Sequence, residues 1–105
     1  MEVICDANDI SEGAARRFSV KNLDLIVVHR YGIFYAYRNE CPHMNLPLTN
    51  RSKGIIDKNQ KHLVCIQHRA EFDIENGFCV KGPCQGMELE PVNIETKNGK
   101  LFLKE

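Results

Sequence analysis

At 105 residues the chain is long enough for one domain with a core, and too short to hold a cofactor domain beside a substrate domain. Fourteen basic and fourteen acidic side chains balance, and they do so regionally: four against five over residues 1–37, seven against five over 38–87, three against four over 88–105. Such mixing argues against nucleic acid or an anionic membrane as a target, and the longest aliphatic run, Leu25 to Val28, is far below the roughly 18 apolar residues of a membrane-crossing helix.

Along the chain, alternation of period two dominates and no segment carries a helical stripe over three turns, so the expected fold class is all-β, built of antiparallel sheets. Acidic Glu2, Asp6 and Asp9 stand where a secretory leader needs positive charge, so a soluble, cytoplasmic protein is expected. Cys5 falls on a probable first strand as a core residue. Leu23 to Arg30 and Ile33 to Arg38 are rich in β-branched and aromatic residues and meet at Tyr31-Gly32, which predicts a tight hairpin. From about residue 39 to residue 91 the texture changes: all four prolines fall there, and the only good strand candidate leading into the second cysteine-histidine pair, Cys65 to His68, is His62 to Ile66, which would deliver Cys65 at a strand end. A second hairpin follows, with Val92 to Thr96 and Leu101 to Lys104 flanking Asn98-Gly99, the pair that best tolerates the positive φ angles of a type I′ turn. The expected organisation is a single domain over 1–105, with a β base from residues 1–38 and 92–105 and an inserted, loop-rich cluster-binding subdomain over about 39–91.

That middle segment holds the chemistry. Five cysteines in a reducing compartment point to metal binding before disulfides. Two short pairs stand out, Cys41-Pro42-His43 and Cys65-Ile66-Gln67-His68, with 21 residues between them. Two Cys and two His is what one 2Fe-2S cluster needs when His replaces Cys on one of its irons. Zinc also accepts such a set, but its usual pattern keeps two cysteines together and two histidines together with wider gaps. Mixed pairs follow naturally when each loop gives its Cys to one iron and its His to the other. A zinc-stabilised interaction module remains the alternative of a different class; catalytic cysteines or incidental core residues are weaker ones. His29 and His62 lack partner cysteines at ligand spacing and are expected to be strand or surface residues. Cys79 and Cys84 bracket Lys81-Gly82-Pro83, either as a redox-active pair or as small buried thiols, the latter favoured in a reducing cytosol.

The chain resembles the Rieske family. Cys41-Pro42-His43-Met44-Asn45-Leu46-Pro47-Leu48 looks like the family's first cluster loop, Cys65 to Asp73 like its second, and Gly77 to Pro83 like its third, proline-containing loop; the closest likeness is to small stand-alone bacterial Rieske ferredoxins. The resemblance implies an inner iron bound by Cys41 and Cys65 and an outer iron bound by His43 and His68 near the surface. Ile66 stands where the family often has proline, and Arg69 where glycine is common. The positions matching the extra disulfide of high-potential members are Leu46 and Gln67, and those matching its serine and tyrosine hydroxyls are Ala70 and Phe72, which can donate nothing. Donors to the sulfurs raise the potential, so a value near the bottom of the Rieske range, about −150 mV, is expected. Potential should fall with rising pH only in alkaline solution, where the ring nitrogens of His43 and His68 would deprotonate.

The resemblance thus implies a soluble, low-potential electron carrier and not an enzyme with its own substrate site. It would take single electrons from a flavin-dependent reductase and pass them to a terminal oxidoreductase such as a ring-hydroxylating oxygenase. The runner-up is the small subunit of a nitrite reductase-like complex, many of which lack the four ligands that are present here. Leu46 and Met44 could form an apolar cover near the cluster, and Arg69 either a solvated charge or a contact for an acidic partner.

Overall fold

A computed structural model describes residues 2–42, 45–66 and 69–104. Among the described residues the fold is all-β apart from one 3-10 turn, Ala7–Asp9. Three antiparallel sheets divide it. The first joins both termini: β1 (Glu2–Asp6) pairs with β10 (Lys100–Leu103), which pairs with β9 (Ile94–Lys97). The second is a meander of β2 (Ala15–Val20), β3 (Leu23–Arg30) and β4 (Ile33–Arg38). The third, in the order of the chain, contains β5 (Ile55–Ile56), β6 (His62–Val64), β7 (Glu71–Asp73) and β8 (Cys79–Lys81).

Both expected hairpins form, for the expected reason. Tyr31 and Gly32 take φ values of 52° and 73°, and Asn98 and Gly99 take 52° and 76°, the paired positive angles that match the twist of the flanking strands. The second hairpin is offset slightly from the sequence reading, its strands running Ile94–Lys97 and Lys100–Leu103. The short strands β5, β7 and β8 carry two or three residues each and are set by register with their neighbours more than by local pattern.

Strand β3 is central because both its faces are covered. Leu25 and Val27 join Ile10, Ala36 and Leu101 in a cluster against the terminal sheet. Ile26 and Val28 point the other way, into a cluster with Leu63, Phe72, Ile74 and Leu89. The continuous run Leu25 to Val28 is thus the signature of a strand buried on two sides. All the buried cysteines, Cys41, Cys65, Cys79 and Cys84, belong to the second cluster, which places them between the meander and the third sheet. Tyr37 ties that layer together by donating its buried hydroxyl to the Ile74 carbonyl at 2.6 Å, and burial pushes its pKa up.

Candidate metal centre

Two loops carry the sequence-predicted cysteines, and they close in the same way. The Cys41 N–H donates to the Leu46 carbonyl at 2.7 Å, and the Cys65 N–H donates to the Ala70 carbonyl at 2.8 Å, each bond spanning five residues. The residue before each acceptor is left-handed: Asn45 at φ 56° and Arg69 at φ 53°. Asparagine adopts that region readily, whereas arginine does so at a cost, and glycine would be free of it. The backbone therefore explains why the family so often has glycine at the position of Arg69.

Each loop is anchored at its base. Buried Asn39 donates from Nδ2 to the Thr49 carbonyl at 2.9 Å and accepts the Thr49 N–H at 3.1 Å, so one amide side chain clasps the two ends of the first loop. The second loop is the connection of the β6–β7 hairpin, in which Val64 pairs with Glu71. The loops are also bonded to each other, since the Ile66 N–H donates to the Leu48 carbonyl at 3.0 Å. Proline could not make that bond, so the departure at Ile66 provides a link between the two loops. Gly82 of the third loop closes over this arrangement: at φ 108°, a Cβ placed there would lie 2.9 Å from the Ala70 Cα.

Cys41 and Cys65 are both fully shielded from solvent and share one apolar surround that includes Leu48, Ala70 and Phe72. Two cysteine sulfurs brought into one buried apolar layer by matched loops fit the cysteine side of an iron-sulfur cluster. His43, His68, Met44 and Gln67 lie outside the described residues. Leu46 is exposed, consistent with an apolar cover at the edge of the site. Ala70 and Phe72 are buried and present no hydroxyl.

The other candidates fall where expected. Cys79 and Cys84 are thiols, and Cys79 Sγ lies 3.4 Å from the Lys81 carbonyl oxygen. Burial first, then a hydrogen bond with Cys79 and the nearby Cys79 and Cys41 sulfurs, push the Cys84 thiol up to about 12, so it stays protonated at neutral pH. His29 is a strand residue whose Nδ1 lies 2.9 Å from the Ile10 carbonyl and whose ring stacks on Phe34. His62 sits between two carboxylates, its Nδ1 lying 2.7 Å from Asp57 and 3.3 Å from Glu71. Sequence reasoning missed that ionic group and the Asn39 clasp, because both depend on residues brought together across loops.

Buried cysteines on two matched loops against antiparallel sheets place the candidate centre in an all-β protein with a soft-donor site. The chain belongs to the Rieske [2Fe-2S] domain family, whose pattern matches residues 1–96, and its cofactor is one Rieske-type 2Fe-2S cluster. It is 25% identical over 92 residues to the ferredoxin component of the alkene monooxygenase system of Xanthobacter autotrophicus, covering 88% of this chain and 72% of that protein. The ferredoxin of Sphingomonas yanoikuyae B1 has a similar structure, with TM-score 0.81, 22% identity and coverage of 98% of this chain and 96% of that one. The ferredoxin of carbazole 1,9a-dioxygenase from Nocardioides aromaticivorans IC177 superposes with TM-score 0.80 at 19% identity, covering 96% and 93% of the two chains. A similar ferredoxin chain, 26% identical with TM-score 0.78 and coverage of 96% and 89%, was solved in complex with the oxygenase of carbazole 1,9a-dioxygenase.

Proposed function

We propose that this chain is a low-potential electron-transfer protein that shuttles single electrons from a flavin-dependent reductase to a terminal oxygenase. Cys41 and Cys65 would hold the inner iron, and His43 and His68 the outer one. When bound, the cluster supplies a one-electron store. The observation that carries this reading is the pair of matched loops, each presenting a buried cysteine behind the same five-residue backbone closure. Residues 39–91 would act as the cluster-binding subdomain on a β base from both termini.

The chain's own residues do three things in this scheme. The Asn39 clasp ties the two ends of the first loop together, and the Ile66–Leu48 bond ties the two loops to each other. Leu48, Ala70 and Phe72 keep water from the cysteine side. The lack of hydroxyl donors at Ala70 and Phe72 leaves added negative charge less stabilised, which favours a low potential suited to a flavin donor. Similarity to ferredoxins of oxygenase systems, one of them solved with its oxygenase, supports an oxygenase acceptor.

The purified protein is expected to be red-brown, with visible absorption that bleaches on dithionite and a potential near the bottom of the Rieske range. A colourless, zinc-loaded protein would reject the reading, and a clearly positive potential would reject its low-potential part. Replacing His43 by Cys should alter the cluster's spectrum and remove the alkaline pH dependence of the potential at that site.

A further inference from the structure

Two shallow grooves flank the ligand loops, and they differ in charge. One, of about 670 Å³, lies on the outer face of the third sheet, where the antiparallel register lines up Ile55, Val64, Glu71 and Lys81 across four strands. Val64 and Glu71 are the neighbours of Cys65 and Ala70, so the groove lies directly against the second ligand loop. Lys58 and Arg69 complete its rim. Its carboxylates are already engaged: Asp57 holds the His62 ring and accepts the N–H groups of Lys61 and His62, and Glu71 lies 3.3 Å from that ring and 3.8 Å from Lys81 Nζ. Lys58 and Arg69 are exposed and, among the described residues, make no ion pair. Arg69 also stands in the left-handed conformation that glycine would adopt without strain, a cost that a site needing a cation there would explain.

The other groove, of about 270 Å³, lies beside the first ligand loop and is lined by Pro42 and Asn45 together with Arg38, Glu40, Glu88 and Glu90. Arg38 is matched by Glu90 at 3.1 Å, which leaves Glu40 and Glu88 as unmatched anions among the described residues. One side of the site is therefore cationic and the other anionic. The whole chain has a formal net charge of zero, so attraction at a distance comes from this separation and not from an overall charge.

We propose that the two grooves orient the terminal oxygenase on the cluster edge, the oxygenase presenting carboxylates to Arg69 and Lys58 and cations to Glu40 and Glu88; this rests on the electron-carrier reading above. Ile55, 44% exposed within the cationic groove, supplies an apolar contact that the charges surround. Opposite signs on either side of the loops fix the rotation of the partner, which a single charged patch would leave free.

Small redox complexes stand in for the two patches of the partner. Dithionite-reduced holoprotein is mixed in a stopped-flow instrument with anionic hexacyanoferrate(III) or cationic hexaammineruthenium(III), each of which takes one electron and leaves the cluster oxidised. Arg69→Glu and Lys58→Glu, each checked for full cluster absorbance, should lower the ratio of the anionic to the cationic rate by roughly 3- to 5-fold at low ionic strength, and the effect should fade in high salt. Glu88→Lys should raise the ratio by a similar factor. Lys97→Glu, on the terminal sheet, changes the net charge as much as Arg69→Glu and should leave the ratio within about 1.5-fold, because screening removes a distant charge. An equal shift from Lys97→Glu, or no shift from Arg69→Glu and Lys58→Glu, overturns the proposal. Failure of both complexes to oxidise the wild-type protein by one electron would instead reject the carrier reading itself.

Discussion

Replacing Gly82 by Ala tests whether the third loop is held against the Cys65 loop by backbone contact. Two costs arise. At φ 108° an L-residue is strained by about 1–2 kcal/mol. The new Cβ would also lie 2.9 Å from the Ala70 Cα, so loop and loop must separate by several tenths of an ångström, an overpacking cost of about 1–3 kcal/mol. Gly86 provides the control, because its φ is 90° but nothing lies within 4 Å of a Cβ there, so Gly86→Ala bears the first cost alone. The difference between the two variants, about 2 kcal/mol, corresponds to a melting temperature roughly 8–16 °C lower for Gly82→Ala in a domain of this size. Far-ultraviolet dichroism and cluster absorbance, followed in one melt at a fixed scan rate, would measure it. Adding Ala70→Gly should recover little, since the closest atom is the Ala70 Cα and remains in place. Equal losses in Gly82→Ala and Gly86→Ala, or full recovery on adding Ala70→Gly, would refute the argument.

Asn39→Leu should destabilise the protein by about 2–5 kcal/mol and hasten cluster loss, because the Thr49 N–H and carbonyl would lose the partner they share in the interior; chemical denaturation of the holoprotein measures the first and decay of visible absorbance the second. Phe72→Tyr places a hydroxyl where the high-potential members have one and should raise the potential by about 40–90 mV, the equivalent of roughly 1–2 kcal/mol for one electron; redox titration reads it directly. Burial raises the pKa of Asp57, but the N–H groups of His62 and Lys61 and the His62 ring more than offset this, and the net shift is downward. A depressed carboxylate contributes stability above its unfolded pKa of about 4 and loses it as pH falls through the lower folded value. Stability should therefore drop in acid below about pH 4, and Asp57→Asn should flatten that part of the profile in urea melts taken across the range.

Much of this protein is written locally in its sequence. The hairpins at Tyr31-Gly32 and Asn98-Gly99 are legible because residues free to take positive φ mark a turn wherever alternating strands flank it. The two cysteine-histidine pairs are legible as candidate ligands because donor type and spacing are chemical facts of a short segment, and Leu23 to Arg30 is legible as a strand from its β-branched content. What the tertiary structure decided is how separate segments meet. The Asn39 clasp joins residues ten apart, and the Ile66–Leu48 bond joins the two cysteine-bearing loops. Gly82 rests on Ala70, and the two- and three-residue strands of the third sheet exist only through their partners. The opposite charges of the two grooves belong to the same class: balanced and interspersed along the chain, they separate only when register and loop closure carry Lys58, Arg69 and Lys81 to one side of the site and Glu40 and Glu88 to the other. Turn and ligand chemistry act over a few residues, whereas packing, cross-loop hydrogen bonds and surface fields depend on distances that the chain sets only by folding.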